Sequence, residues 1–395
     1  MATGGDRPGT GKSRVHVLLC SLVGCAGLLF ATSCGQKGPE GLISVDFKKT
    51  QEVPAMNISE LAGEPEFIAL ESRVEAFATG GQYNISQNYI CIGASSRGSA
   101  KLYDRHTGKF LCDVGTIGRG PGEYLNTYSG QIDEADGTVW LIPWNATSIL
   151  GYDIHTGKYK KEIPLKYDAP KGVFSIDNKN GSVTVAALPF QGIVPAIAWQ
   201  QDMEGNVLWE IPAGHLAMIP DFSNEITSSG NVKGTFDLSM TTWDGKKDSL
   251  YVVGQGKIMP VYTVDFGNTE GKFEDRPIHG YTLTGKYLIC DYAFPVRNEY
   301  GYTTSRPKYV VTDRKNEETV RTSFFNDFLG EELNYLYTTD GYLCAVFDPE
   351  TFIELSKNAL ENGKLNEKNR QKIADIAKSL TPESNNVIML APLKK

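Results

Sequence analysis

Among the side chains of this 395-residue chain that could act as nucleophiles, metal ligands or proton carriers, seven are cysteines and five are histidines. Cys34 has the clearest chemical context. It follows Ala31-Thr32-Ser33, and small residues before a cysteine at the end of an apolar segment suit lipoprotein processing, which turns the thiol into a lipid-bearing thioether. Cys20 and Cys25 lie in the segment that such processing removes, leaving Cys91, Cys112, Cys290 and Cys344. An even number of thiols in an oxidising compartment raises the question of disulfides. However, Cys91 and Cys344 hold the third position of their apolar runs and Cys290 the fifth, which puts all three on equivalent strand faces. Facing sheets lie about 10 Å apart, beyond the ~7 Å Cα limit for a disulfide, so buried free thiols are expected.

The other candidates for catalysis fail on spacing. No His-Glu-x-x-His, Cys-x-x-Cys or alternating-Asp calcium loop occurs. Gly93-Ala94-Ser95-Ser96-Arg97 lacks the second glycine of a nucleophile elbow. Gly9-Thr10-Gly11-Lys12-Ser13 looks like the end of a phosphate-binding loop, but Asp6 stands where its first glycine belongs and a signal segment follows. His106 and His155 fall in repeated turns, where a structural role is expected, and His215 and His279 have no motif around them. No catalytic residue, metal or cofactor is therefore expected.

Side chains suited to binding are easier to find. They are Arg119, Glu123 and Tyr124 in one Gly/Pro-rich loop, Trp144 and Asn145 in another, Phe190, and Arg297, Tyr300, Tyr302 and Arg306 in a long third segment. Exposed Trp, Tyr and Arg around a concave mouth are what protein and glycan sites use.

The elements that must position these residues are β-strands. With 41 % hydrophobic and 22 % charged residues, 41 Gly and 19 Tyr, the composition is that of a globular, turn-rich, all-β chain. Residues 1–33 read as a signal peptide: Arg7, Lys12 and Arg14 precede an apolar run from Val15 to Phe30. A spanning helix needs ~20 mostly apolar residues, more than this interrupted run supplies. Residues 34–60 read as lipidated cysteine and tether, and residues 61–395 as the folded body. Removing residues 1–33 takes away three basic and one acidic side chain and leaves a net charge of −10, which disfavours nucleic acid.

Internal repeats point to the architecture. Asp104-Arg105-His106-Thr107-Gly108-Lys109 returns 49 residues later as Asp153-Ile154-His155-Thr156-Gly157-Lys158, and Asp202-Met203-Glu204-Gly205 follows after another 49. A polar turn followed by a six-residue apolar run recurs six times, at 89–94, 138–143, 182–187, 249–254, 286–291 and 342–347. Runs this short that are apolar on both parities are strands buried on both faces. Six such units predict a six-bladed β-propeller, with a β-sandwich as the alternative. Ile373, Ile376, Ala377 and Leu380 have helical spacing, so a helical insertion is expected at 352–381 in the last blade. Glu66–Leu70 and Val387–Leu390 would close the ring by pairing the two chain ends.

Ile117-Gly118-Arg119-Gly120-Pro121-Gly122-Glu123-Tyr124, the opening Phe67-Ile68-Ala69-Leu70-Glu71 and the late helix before a final apolar strand resemble the six-bladed propeller lipoproteins of Bacteroidota, the TolB-like or NHL-like group. That resemblance covers most of residues 60–395 and implies a fold and a location rather than a reaction.

The expectation is therefore a monomeric body, lipid-anchored in the outer membrane on its periplasmic side, that binds a protein, peptide or glycan. A propeller enzyme of hydrolase, lactonase or dehydrogenase type, with an axial site that leaves no local motif, is the alternative. A structural subunit of an outer-membrane assembly is the third possibility.

Overall fold

A computed structural model describes residues 41–245, 248–267 and 271–395, together with a short strand at Gln36–Lys37. The signal segment and the lipidation site Cys34 lie outside the described residues.

The chain forms an all-β β-propeller in which seven sheets contain three or more strands. Six of these contain a four-stranded antiparallel meander. Their inner strands are Tyr83–Ile85, Thr127–Asp133, Val173–Asp177, Glu225–Thr227, Ile278–Leu283 and Thr338–Thr339. The expected count of six units is corrected by the seventh sheet, built from Met56–Asn57, Phe324–Asn326 and Glu331–Glu332. Its strands are two or three residues long, so they carry none of the apolar runs that mark the repeat.

The apolar runs are buried on both faces where sheets stack, as in Thr138–Pro143, where Trp140 and Ile142 pack toward the third sheet and Val139 and Leu141 toward the first. In five sheets the run is the second strand. In the fourth, the run at 249–254 is the third strand, Leu250–Gly254, and the second is Phe236–Thr241. Asp237 and Ser239 interrupt that strand's apolar pattern and hid it.

The 49-residue repeat marks an inter-sheet lock. In the first two copies an aspartate accepts from the amides two and three residues on, as Asp104 does from His106 and Thr107 and Asp153 from His155 and Thr156, while Asp202 in the third accepts from Glu204 and Asn206. The glycine that follows has positive φ and presses on the outer strand of the preceding sheet: a Cβ on Gly157 would sit 1.7 Å from the Asp113 carbonyl, and the Gly115 amide donates to Gly157 O at 2.8 Å. Both histidines are thus turn residues.

The ring closes through both chain ends. Val387–Pro392 lies between Tyr342–Phe347 and the N-terminal strand Glu66–Ala69, with Val387 opposite Ala69. Arg105 of the first sheet reinforces the seam, donating to Glu66 Oε1 at 2.8 Å and to the Tyr342 hydroxyl at 2.9 Å.

The folded body begins before the expected boundary at 61. Ile43–Asp46 adds in parallel to the outer strand Lys257–Asp265, and Gln51–Glu52 adds to Thr319–Thr322. Outer strands present unpaired backbone groups, and this segment satisfies them while burying Val45 and Ile58. The insertion in the sixth sheet is two helices, Pro349–Asn362 and Glu367–Ser379, capped by Asp348 and Asn366 and burying Phe352, Ala359, Ile373 and Ile376. The four described cysteines are free thiols. No helix among the described residues is long and apolar enough to cross a membrane.

Candidate functional site: an axial cavity and a rim pocket

Six inner strands converge on an axial cavity of about 570 Å³. Side chains stitch these strands together around it. Ile85 N donates to Asp340 Oδ2 at 2.7 Å, Ala94 N to Thr127 Oγ1 at 2.8 Å, and Gln131 exchanges two hydrogen bonds with the Ile176 backbone at 2.8 and 3.1 Å. The seventh sheet contributes nothing to the cavity wall.

The two ends of the cavity differ. Gln82–Asn84, Tyr128–Gln131 and Val173–Ser175, at or near the starts of three inner strands, line it, so it reaches the end where one sheet passes to the next. The loop 228–235 of the fourth sheet crosses the opposite end, past the fifth sheet to the sixth. Asn231 Nδ2 donates to Leu283 O at 3.1 Å and to Thr338 Oγ1 at 2.8 Å, and the amides of Asp340 and Gly341 donate to Ser229 O and Asn231 Oδ1 at 3.0 and 3.1 Å. Buried Asp237 accepts from the Ser229 amide and hydroxyl and holds this strap, and burial pushes its carboxyl up.

An ion pair supports the wall. Lys171, in the left-handed region at φ 51°, donates through Nζ to Glu225 Oε1 at 2.5 Å and to Asn224 O at 2.9 Å, while Tyr128 donates to Glu225 Oε2 at 2.5 Å. The Lys171 side chain is only 5 % exposed, so its charge is hidden unless Glu225 faces it. Burial, with the Glu225 carboxylate beside it, pushes the Tyr128 hydroxyl far up, so it remains a protonated donor. Tyr83 and Tyr337 pack edge to face at 6.3 Å, and Tyr335 beside them is 57 % exposed.

Sequence reasoning missed this cavity. Its residues come from all six inner strands, and no two neighbours in the chain spell it out.

The predicted binding residues fall in two other places. Glu123, Trp144 and Asn145 meet in a rim pocket of about 370 Å³ between the loop entering the second sheet and that sheet's middle hairpin. Glu123 accepts from the Gly120 amide at 2.7 Å and so shapes the loop, while Arg119 is exposed beside it. Trp144 packs on Phe222 at 4.9 Å, and Phe222 packs in turn on Phe190 at 5.1 Å.

Two of the predicted residues are corrected here. Phe190 is fully buried in the core, and Tyr124, 2 % exposed, accepts from Ala100 N at 3.0 Å and donates to Val114 O. Both hold loops in place: Phe190 is closed off from any ligand, and Tyr124 reaches the rim pocket only with the edge it leaves exposed. Arg297, Tyr300 and Tyr302 lie on a hairpin, Pro295–Asn298 with Gly301–Thr304, that projects from the fifth sheet. Tyr300 is 91 % exposed, and Tyr302 donates to Glu274 at 2.6 Å. Arg306 is tied to Glu332 and to Leu333 O, each at 2.7 Å. Among the described residues, no group of three or more His, Cys, Asp or Glu side chains is placed to hold a metal ion. Buried His279 binds Pro277 O through Nδ1 at 3.1 Å, and burial lowers its pKa, so it stays neutral.

This fold defines a β-propeller protein with a cavity on the ring axis. The chain belongs to the family described as Domain of unknown function (DUF4934), whose model matches residues 42–392. A crystal structure of a Bacteroides fragilis NCTC 9343 protein assigned as exported is similar over 90 % of this chain and 100 % of its own, at 15 % identity and a TM-score of 0.59. Hydrazine synthase of Kuenenia stuttgartiensis is similar at 13 % identity and a TM-score of 0.41, over 80 % of this chain and 87 % of its own. BamB of Moraxella catarrhalis is similar at 11 % identity and 0.35, over 83 % and 97 %. No curated protein matches.

Proposed function

We propose that this protein is an exported, lipid-anchored binding module that receives its ligand in the axial cavity. The observation that carries this reading is the cavity itself, whose volume of about 570 Å³ falls within the ~300–1,000 Å³ of ligand sites. Its wall mixes tyrosine rings with many hydroxyl and amide groups, a more polar lining than most small-molecule sites have. The rim residues Arg119, Trp144, Asn145, Arg297 and Tyr300 would meet whatever part of a larger protein, peptide or glycan extends beyond the mouth. Anchoring through Cys34 at the periplasmic face of the outer membrane supplies the location.

Two experiments test the reading. Thermal shift of the mature chain against saccharide, peptide and amine panels should find a stabilising ligand whose effect Tyr335→Ala removes. A ligand whose effect survives Tyr335→Ala would place binding elsewhere. For the anchor, Cys34→Ala should move the protein from the membrane to the soluble fraction, and unchanged partition would contradict lipidation there.

A catalytic reading has one specific observation behind it. Asp340 lines the cavity and keeps an open surface, yet surrounding protein pushes its carboxyl up, in the direction an acid catalyst needs. Turnover of glycoside or lactone substrates that is lost in Asp340→Asn would favour it.

A further inference from the structure

We infer that the axial cavity takes the terminal residues of a neutral oligosaccharide, an assignment that rests on the binding-module reading and makes it specific.

The wall is rich in acceptors. Gln82 Oε1 is buried at the cavity without any hydrogen-bond partner. An unpaired buried acceptor costs free energy, and a turn of the Gln82 side chain that brings Oε1 to a ligand donor recovers it. Asp340 uses Oδ2 for the Ile85 amide and the Thr339 hydroxyl, and its Oδ1 has no donor among the described residues. A ligand that fits must therefore bring donors.

Charge narrows the choice to hydroxyl donors. Glu225 is already matched by Lys171 at 2.5 Å, and the exposed cation Lys233 lines the same cavity as the remaining carboxylate, Asp340. Anionic ligands would face two carboxylates with one flexible lysine to offset them. A cationic amine would meet Lys233 in the same cavity and would find Glu225 already paired to Lys171. A peptide brings a carbonyl acceptor with every amide donor, and those carbonyls find few donors in this wall.

The aromatic rings supply the second half of the match. Tyr83, Tyr335 and Tyr337 cluster in the wall, and sugar C–H faces pack on such rings while their hydroxyls reach past them. The strap 228–235 crosses the far end, tied to the sixth sheet by Asn231 and Ser229, which favours entry of a chain end from the other mouth over threading of a polymer.

The test is calorimetric titration of the mature chain with neutral trisaccharides of glucose, xylose, mannose and galactose. Trigalacturonate, trilysine, triglycine and spermidine serve as comparison probes. At least one neutral trisaccharide should bind best, and Tyr335→Ala and Gln82→Leu should each weaken it tenfold or more. Gln82→Leu should leave the Tm unchanged or higher, since it removes an unpartnered buried acceptor, so its lost binding cannot be lost folding. Preferred binding of a charged or peptide probe, with the same sensitivity to both variants, overturns the saccharide class and leaves the axial site standing. A saccharide that binds with unchanged affinity to both variants but is lost in Trp144→Ala overturns the axial site, and binding of none of the probes at millimolar concentration overturns the inference.

Discussion

The rim pocket takes its whole wall from residues 118–162, whereas the axial cavity takes its wall from six sheets between Gln82 and Asp340. One is a local product of a Gly/Pro-rich crossing and the hairpin beside it. The other exists only when the ring is closed and each inner strand stands at its proper angle to the next. The difference teaches where each kind of site leaves its trace: the rim pocket in a contiguous motif, the axial cavity only in the topology.

Opening the ring should have the largest effect on the axial cavity. Deleting residues 387–395 removes the strand between Tyr342–Phe347 and Glu66–Ala69 and exposes two strand edges with apolar faces. Cooperative unfolding should be lost, in calorimetry and in urea alike. An unchanged Tm would contradict closure at this seam.

A smaller effect should come from the strap that crosses only the axial cavity. Burial raises the Asp237 carboxyl above its ordinary value of 3.8, so the folded protein holds that proton more tightly than the unfolded chain does. Its contribution is complete below the unfolded value and is lost as pH rises through the folded one. Stability should thus grow as pH falls through the raised folded value toward the ordinary 3.8, by up to ~1.4 kcal/mol per pH unit, and level off below it. Urea denaturation at several pH values should show this slope, and Asp237→Asn should flatten it.

Lys171 joins the two regions, since its amide donates to Trp144 O at 2.7 Å and its ammonium holds Glu225. Lys171→Met should cost roughly 1–3 kcal/mol by chemical denaturation, because it strips charge-assisted bonds from Glu225 and Asn224 O. Loss of under a few tenths would mean that the pair is replaced by water. At the rim alone, Trp144→Ala should cost only about 0.5–1.5 kcal/mol through its packing on Phe222, and it should leave affinity in the axial cavity intact. Arg297→Ala, on the projecting hairpin, should change stability less still.

Much of the fold was legible because propeller strands are short, apolar on both parities and separated by turn residues. The Asp-x-His-Thr-Gly hairpins and the pairing of Glu66–Ala69 with Val387–Leu390 could be read directly. The second strand of the fourth sheet was not, because Asp237 and Ser239 serve the strap and the neighbouring sheet at the expense of an apolar pattern. The segment 43–60 read as tether because its strands gain partners only from distant outer edges. Tyr124 and Phe190 read as exposed because they lie in loops, where a large aromatic is as often the anchor as the surface. Gln82, Tyr335 and Asp340 gave no signal at all. They are ordinary residues in ordinary turns until six sheets bring them to one axis.

The central claim is that ligand enters the axial cavity, and hydrogen exchange of the mature chain with and without a bound neutral trisaccharide tests it most directly. Inner-strand amides that face the axis have no partner strand, so a ligand there must shield them. Added protection is expected at 82–84, 128–131 and 335–340 and none at 118–126 or 143–148. Protection confined to 118–126 and 143–148 would contradict axial entry.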